Sequence, residues 1–154
     1  LLPSGVLASS SNILLIRCGN GGPRVHGCGV QELGAGCGLS GMVAAAAGAG
    51  HVVLADQVLY MLQENVARNF AERPEVRERI AVRELQWGDA AQTAAVGAPF
   101  DLLLGSDLMY VSEHWDLLAD TLASLSREGT VCYFATPRKT HDQRWVAFFH
   151  QCQQ

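Results

Sequence analysis

Length, composition and charge limit what this chain can be. It has 154 residues, of which 49% are hydrophobic and 17% charged, and its formal net charge is −4 at pH 7. The hydrophobic share excludes an intrinsically disordered chain, and the length suits one domain of roughly 150 residues. The acidic balance lacks the basic surface of a nucleic-acid-binding protein, so we expect no nucleic-acid partner, and a charged ligand would be cationic. No uninterrupted apolar run is long enough for a membrane span, so we expect no membrane partner either.

The cysteines indicate a reducing compartment. Their number is odd and no two form a C-x-x-C pair: Cys18, Cys28, Cys37, Cys132 and Cys152. This usage is typical of reduced thiols rather than of a disulfide framework or a zinc site. We therefore predict a cytoplasmic or nuclear protein without a bound metal, and we expect a monomer. Because the chain does not begin with Met, we also expect a fragment or a trimmed gene model.

The N-terminal segment, residues 1–26, is poorly patterned, since serine and glycine clusters interrupt its apolar runs. We predict that it is mostly irregular, with one short strand at Ile13–Ile16. The pattern becomes regular after it, and residues 27–154 form the predicted core domain.

In the core domain, short apolar runs alternate with stretches of helical spacing. The predicted strands are the run that ends at Leu33 and residues 51–56, 80–85, 100–105 and 130–136. The predicted helices are residues 39–49, 58–70, 113–126 and 142–152, while residues 90–99 are predicted to be a loop. This alternation predicts an α/β fold with a doubly wound, mostly parallel sheet. Ligands of such sheets bind beyond the carboxyl ends of the strands.

A glycine-rich turn joins the first of these strands to its helix. Gly34, Gly36 and Gly38 permit positive φ angles and let the backbone approach a ligand closely. Asp56 ends the next strand, 20 residues after Gly36, where a carboxylate suits ribose hydroxyls. A turn that served only tight helix–strand packing would contain glycines as well, but it would not need the spaced acid.

Two cofactors fit this arrangement. The pattern Gly36-x-Gly38-x-x-Gly41 formally matches the dinucleotide fingerprint, but Gly34 already makes the turn, so the match starts two residues late. Glu32 at the strand end would repel a pyrophosphate, whereas it would attract the sulfonium and ammonium groups of S-adenosylmethionine. Charge therefore favours S-adenosylmethionine over a nicotinamide cofactor.

Four segments together resemble a known family. Glu32–Gly41 (ELGAGCGLSG) resembles the first motif of the seven-β-strand methyltransferases and, more narrowly, of the methyltransferase-like protein-lysine methyltransferases. Leu62–Asn65 with Asn69 resembles the family's L-x-x-N-x-x-x-N helix, Leu85–Asp89 (LQWGD) its L-x-W-G-D segment, and Ser106–Tyr110 (SDLMY) its D-x-x-Y motif. The resemblance covers about residues 30–149. It implies a Rossmann-like fold, S-adenosylmethionine as cofactor and a protein substrate with an acceptor lysine.

The same resemblance implies roles for residues at the predicted ligand edge. It places Glu32, Gly34 and Gly36, with Ala35 between the glycines, at the methionine part of the cofactor, Asp56 at the ribose, Trp87 against the adenine and Ser106 under the methyl group. We expect Asn65 and Asn69 to brace a loop instead.

Asp107 and Tyr110 are the predicted catalytic residues. Methyl transfer is an in-line displacement, so positioning of the acceptor is the main contribution of the protein. A lysine ammonium must lose a proton before it attacks, and a carboxylate can align the amine and accept that proton. Tyr110 can orient the amine through its hydroxyl or form a wall of the channel. A cap of a loop or of the helix near Glu113 is the structural alternative for Asp107.

The chain departs from the family pattern at both ends. The family's upstream tryptophan-containing segment has no counterpart in residues 1–26, and Gln31 replaces an aliphatic residue in the most buried strand. After the fifth strand the family adds two strands as an antiparallel pair, which we expect to be missing here. Their absence would leave residues 130–136 as an exposed sheet edge.

Three classes of function compete. The leading one is an S-adenosylmethionine-dependent methyltransferase that acts on protein lysine, with a small-molecule amine or arginine as an open alternative acceptor. The second is a non-catalytic cofactor-binding or protein-interaction fragment of that family. The third is a nicotinamide dehydrogenase, which Glu32 disfavours.

Overall fold

Five parallel strands form the centre of the fold. The structure, a computed structural model, describes residues 5–9, 13–18 and 25–137. Its strands are β1 Gly5–Ser9, β2 Ile13–Cys18, β3 Gly29–Leu33, β4 His51–Asp56, β5 Ile80–Glu84, β6 Leu102–Ser106 and β7 Val131–Pro137. The parallel strands lie in the order β7-β6-β3-β4-β5. The predicted α/β class with a mostly parallel sheet is therefore confirmed.

Helices cover both faces of this parallel sheet. Helices α1 Leu39–Ala46, α2 Tyr60–Asn69 and α3 Pro74–Arg77 lie on one face, and α4 Ala90–Ala95 and α5 Trp115–Leu125 lie on the other. On the first face, Met42 and Leu62 share a buried cluster with Leu54 of β4. On the second, Leu122 shares a buried cluster with Leu103 of β6. The apolar runs of β4 and β6 are thus buried from both sides, as central parallel strands require.

Helix α4 corrects the prediction of a loop over residues 90–99. Asp89 precedes the helix as its N-cap, and its Oδ1 accepts the amides of Ala91 and Gln92, both at 2.9 Å. The alanine-rich stretch has high helix propensity but too little apolar periodicity to be detected, and the cap supplies the missing start signal. The predicted helix over residues 142–152 lies outside the described residues.

A hairpin from the N-terminal segment covers the edge of the sheet beside β7. Strand β2 pairs antiparallel with β7 from Ile13↔Pro137 to Cys18↔Cys132, and β1 pairs antiparallel with β2. The predicted strand at Ile13–Ile16 is present and longer, but the prediction of an irregular segment is wrong at β1. The exposed edge predicted at residues 130–136 is also wrong, because β2 satisfies the backbone groups of that edge. The domain boundary between residues 26 and 27 stays a prediction.

The central strand β3 forms although it contains a buried polar residue. Gln31 is fully buried, and its Nε2 donates to the backbone carbonyl of Glu32 at 3.0 Å. Its Oε1 has no partner among the described residues. Pairing with β4 on one side and β6 on the other outweighs the weak strand propensity of this segment.

Candidate functional site

The registers of three neighbouring strands bring predicted site residues to one edge. Leu33 at the end of β3 pairs with Ala55 of β4 and with Gly105 of β6. Neighbouring strands are about 5 Å apart, so the residues that follow these three emerge side by side. They are Gly34, Asp56 and Ser106.

The glycine loop curls back over this edge. Gly34, Gly36 and Gly38 have φ angles of 55°, 54° and 79°, in the left-handed region that other residues rarely adopt. The amide of Ala35 donates to the carbonyl of Ala55 at 3.0 Å, and the amide of Gly38 donates to the carbonyl of Ala35 at 2.7 Å. The alternating conformation explains why glycine occupies every second position of the loop.

Asp56 holds the glycine loop from the neighbouring strand. Its Oδ2 accepts the amide of Gly36 at 2.8 Å, and its Oδ1 accepts the amides of Gln57 at 2.7 Å and Val58 at 3.2 Å. A carboxylate has about four lone-pair sites, so Asp56 retains acceptor capacity for hydroxyl groups of a ligand. The 20-residue spacing therefore reflects a direct contact between the two segments, and the role of Asp56 toward ribose hydroxyls stays a prediction.

Helix α2 supports the loop from below through the predicted asparagine motif. A Cβ built on Gly38 would lie 2.8 Å from Cδ2 of Leu62, so this leucine fills the space that the glycine leaves. One turn later, Nδ2 of Asn65 donates to the carbonyl of Cys37 at 2.9 Å, and Nδ2 of Asn69 donates to the carbonyl of Asn65 at 2.8 Å. The prediction that these asparagines brace a loop is confirmed for Asn65, whereas Asn69 bonds within its own helix.

Glu32 lies beneath the loop and stabilises the start of α1. Its side chain is 4% exposed, and its Oε2 accepts the amide of Gly41 at 2.8 Å. Because α1 has no side-chain cap at Gly38, Glu32 provides an acceptor that the helix terminus lacks. Burial raises the pKa of Glu32 above its ordinary value, while hydrogen bonds from Gly41 and Ser40 oppose this. A cationic ligand beside the carboxylate would offset the cost of its charge.

Trp87 approaches the glycine loop although β5, the strand before it, is two strands from β3. Its Cζ2 lies 3.9 Å from the position of a Cβ on Gly34. The indole is half-buried and packs against the cluster on the α4/α5 face of the sheet. The next amide, of Gly88, donates to Oγ1 of Thr121 at 2.9 Å, which ties the segment to α5.

The segment of residues 106–110, which begins at the last residue of β6, contains both exposed and buried side chains. We call it the acceptor loop. Ser106, Asp107 and Tyr110 are exposed, with Tyr110 68% exposed, whereas Leu108 and Met109 are buried. Asp107 has a φ of 54°, and its amide donates to the carbonyl of Ala135 in β7 at 2.8 Å. A non-glycine residue held in this conformation at the edge of a site is typical of functional positions.

The carboxylate of Asp107 faces outward without a partner among the described residues. The turn at Ser112–His114 and helix α5 both begin without a side-chain cap. The structural alternative, in which Asp107 caps the helix near Glu113, is therefore wrong. The carboxylate is available to a ligand or substrate.

Open space at Gly36 fits a ligand that touches the backbone. A Cβ built there would meet nothing within 4 Å, in contrast to Gly34, Gly38 and Gly41, whose Cβ positions lie 2.7, 2.8 and 2.2 Å from neighbouring side chains. The glycine at position 36 is thus not required by internal packing. Together with Glu32 and Asp56, this cradle fits a cofactor that has a cationic part and hydroxyl groups, as S-adenosylmethionine has.

Comparison with known families decides the assignment. A family model described as lysine methyltransferase matches residues 6–154. The chain belongs to this family. The resemblance carried by the glycine, W-G-D and D-x-x-Y segments is confirmed.

Curated relatives in this family are N-lysine methyltransferases by name. The chain is similar to protein N-lysine methyltransferase METTL21A of Mus musculus, with 37% identity over 75% of this chain and 52% of the relative. The Danio rerio protein of the same name is 37% identical over 79% of this chain and 56% of the relative. The chain therefore spans about half the length of the curated relatives it matches.

Solved methyltransferase structures share the fold. An S-adenosylmethionine-dependent methyltransferase from Mesorhizobium loti aligns with a TM-score of 0.55 and 25% identity, over 73% of this chain and 47% of that chain. The family and this neighbour both support S-adenosylmethionine as the cofactor.

Neither a metal-binding group nor a membrane-spanning helix is present among the described residues of this lysine methyltransferase family member. Residues 5–9, 13–18 and 25–137 include no group of three His, Cys, Asp or Glu side chains that could hold a metal ion. Over the same residues, no helix is long and apolar enough to cross a membrane.

The structure brings together most of the predicted site residues and adds one. Gly34, Trp87 and the acceptor loop meet at one point, although they come from three separate segments. The residue that joins them is Leu108, which sequence reasoning did not identify. Its only sequence signal is its place between Asp107 and Tyr110. The individual roles of Ser106, Asp107 and Tyr110 toward a ligand stay predictions.

Proposed function

We propose that the chain transfers a methyl group from S-adenosylmethionine to a lysine side chain of a protein substrate. The observation that carries this proposal is the convergence at Gly34 of the glycine loop, Trp87 and the acceptor loop, with the free carboxylate of Asp107 at the rim. The curated relatives, named as protein N-lysine methyltransferases, support lysine as the acceptor.

One group of residues binds the cofactor, and a second group positions the acceptor. When bound, S-adenosylmethionine supplies an electrophilic methyl group on its sulfonium. Glu32 offers a negative charge to the cationic part of the cofactor, and Asp56 accepts hydrogen bonds from its hydroxyls. Trp87 offers a half-buried aromatic surface for the adenine, and the backbone at Gly36 leaves room for close approach. These interactions fix one reactant at the carboxyl edge of the sheet.

The acceptor loop positions the other reactant. A lysine ammonium has no lone pair, so it must lose one proton before it attacks, and the methylated product is again an ammonium. The Asp107 carboxylate attracts the ammonium, aligns the amine and accepts a proton. The exposed Tyr110 ring and hydroxyl flank the same opening, where they bound the channel or donate to the substrate.

We further propose a monomer that works in the cytoplasm or nucleus on a protein partner, without nucleic acid or membrane. The net charge of −4 and the thiols of Cys28 and Cys37, which form no disulfide, support this setting. Size-exclusion chromatography with light scattering and cell fractionation test the two parts of this proposal. A stable dimer or a secreted protein would contradict it.

Binding and labelling experiments test the main proposal. Titration calorimetry should show binding of S-adenosylhomocysteine and no binding of NAD, because Glu32 repels a pyrophosphate. Incubation of a cell extract with the chain and radiolabelled S-adenosylmethionine should label a protein, and acid hydrolysis should release methyl-lysine. Release of methyl-arginine would mean that the acceptor is arginine and not lysine. Label found only in small molecules would mean that the acceptor is a small-molecule amine. Binding of neither ligand would support a non-catalytic fragment.

A further inference from the structure

Leu108 is the point of contact between the glycine loop and the acceptor loop. Its side chain is 5% exposed, whereas Asp107 beside it and Tyr110 two residues later are exposed. Its Cδ2 lies 2.7 Å from where a Cβ of Gly34 would stand, and its Cδ1 lies 2.4 Å from the Cβ position of Gly105. A real Cβ atom at either glycine would clash with Leu108 at these distances. Leu108 therefore occupies a niche that exists only because two glycines line it.

The two glycines belong to different parts of the site. Gly34 begins the glycine loop, at a φ of 55°, and Gly105 lies in β6 immediately before the acceptor loop. Gly105 has an ordinary φ, so its own backbone does not require glycine, and the closeness of Leu108 and of Phe134 explains the residue. A close-packed niche transmits displacement, since a shift of one wall leaves a void or a clash at the other.

The remainder of the acceptor loop is fixed at two further points. Asp107 is held by its amide bond to Ala135, and the carbonyl of Met109 accepts Nε1 of Trp115 at 3.4 Å. Neither contact reaches the glycine loop. Leu108 is thus a side chain of this loop that lies directly against the glycine loop, next to the exposed carboxylate of Asp107.

We propose that Leu108 is a positioning residue that couples occupancy of the glycine loop to ordering of the acceptor loop. This inference rests on the proposed function, because it needs a cofactor at Gly34–Gly38. A cofactor that fixes Gly34 fixes one wall of the niche, so Leu108 and the Asp107 carboxylate beside it become ordered together. By thermodynamic reciprocity, an ordered acceptor loop then favours cofactor binding to the same extent.

Hydrogen–deuterium exchange of the full chain with and without S-adenosylhomocysteine tests the coupling without any acceptor. In the unmodified chain we expect the ligand to slow exchange at residues 34–38 and also, by at least about fivefold, at residues 106–110. Protection confined to residues 34–38 would overturn the inference while leaving the proposed function intact. No binding at all would overturn both.

Variants separate positioning from simple packing. Leu108→Ala should bind S-adenosylhomocysteine and protect residues 34–38, but lose the protection of residues 106–110, and Leu108→Met should restore it. Leu122→Ala, from the same buried cluster but on α5, is the control for lost stability and should keep both protections. Unchanged coupling in Leu108→Ala, or equal loss in Leu122→Ala, would contradict the proposal. Should Leu108→Ala not fold, the measurement on the unmodified chain still decides.

Discussion

The two ends of the parallel strands use their polar groups in opposite ways. We call the side of the sheet where these strands end the carboxyl edge, and the side where they begin the amino edge. At the carboxyl edge, Asp107 adopts a positive φ angle although it is not a glycine, and the side chains of Ser106, Asp107 and Tyr110 are exposed. This edge accepts conformational strain and leaves hydrogen-bonding capacity unused. Such an arrangement is costly for stability and useful for binding.

At the amino edge, the polar groups satisfy each other. Asp101 and Gly29 exchange two hydrogen bonds at 2.9 Å, from the Asp101 amide to the Gly29 carbonyl and from the Gly29 amide to Oδ2 of Asp101. The Asp101 carbonyl accepts the amide of Val131 at 3.0 Å, and Oδ1 of Asp101 pairs with the guanidinium of Arg127. One residue thereby joins the starts of β3, β6 and β7.

The pKa values of two carboxylates, one near each edge, are shifted in opposite directions. Burial raises the pKa of Glu32 near the carboxyl edge, whereas the Gly29 amide and then Arg127 lower the pKa of Asp101 at the amino edge. The charge of Asp101 stabilises the fold, and the charge of Glu32 opposes it. Substitutions at the two edges should therefore separate function from stability.

The largest expected effect is at Asp107. Asp107→Asn keeps the shape and the tolerance for a positive φ but removes the negative charge, so methyl transfer should fall by at least about 100-fold. Transfer of label from radiolabelled S-adenosylmethionine to extract protein measures the activity, and calorimetry should show nearly unchanged affinity for S-adenosylhomocysteine. Asp120→Asn, an exposed acid on α5, serves as the control. Full activity of Asp107→Asn would remove this carboxylate from the mechanism.

The next largest effect is expected at Gly36, and Gly129 at the opposite edge is its control. Both glycines have a positive φ angle and open space around the position of a Cβ. Gly36 and Gly129 have φ angles of 54° and 88°, and a Cβ on either would meet nothing within 4 Å. Substitution by Ala should therefore cost each protein about 1–2 kcal/mol of unfolding free energy, from the backbone alone. Only Gly36→Ala should also weaken S-adenosylhomocysteine binding, by about tenfold, or 1.4 kcal/mol.

Urea denaturation and calorimetry measure the two quantities for this pair. Equal affinities in Gly36→Ala and Gly129→Ala would show that no ligand approaches the backbone at Gly36. A much larger stability loss in Gly36→Ala would mean that this glycine serves packing instead.

The sequence predicts the parallel strands well, because continuous apolar runs such as that of β4 are distinctive and need burial on both faces. It does not predict β1, whose five residues, GVLAS, have no alternating pattern and pair only because β2 lies beside β7. That pairing is a long-range effect that local propensity does not contain. Helix α4 is missed for a related reason, since its alanines carry propensity without an apolar stripe.

Within the site, the sequence identifies residues whose chemistry is conspicuous and misses one that acts by shape. Asp56, Trp87 and Asp107 are predictable because their groups and their positions after strands indicate binding. Leu108 is an apolar residue between polar neighbours, and only the distances to the Cβ positions at Gly34 and Gly105 give it a role. Niches of this kind are formed by three distant segments, so one-dimensional patterns do not show them.

A smaller effect is expected at Glu32, where function and stability should change in opposite directions. Glu32→Gln keeps an acceptor for the Gly41 amide but removes the charge, so affinity for S-adenosylhomocysteine should fall about fivefold, or ~1 kcal/mol. Because the pKa is raised in the folded state, the contribution of Glu32 to stability is present below its ordinary value of 4.5 and is lost as pH rises through the raised pKa. The variant should therefore have a higher melting temperature than the unmodified chain at pH 7, and the difference should shrink toward pH 4.5. A lower melting temperature at pH 7 would mean that a charged partner already compensates Glu32.

The smallest effect belongs to Asp101, and it should leave function unchanged. Asp101→Asn removes the charge that the Gly29 amide and Arg127 stabilise, and because the side chain is 38% exposed the loss of unfolding free energy should be only about 0.5–1 kcal/mol at pH 7. With the folded pKa lowered, this contribution is present above the ordinary value of 3.8 and disappears as pH falls through the lowered pKa, so the two proteins should converge in acid. Urea denaturation at pH 7 and at a series of pH values well below 3.8 measures the difference. Affinity for S-adenosylhomocysteine should not change, because Asp101 lies at the amino edge. A loss of affinity in this variant would show that the two edges are energetically linked through β3 and β6, and that separate roles for them are too simple a description.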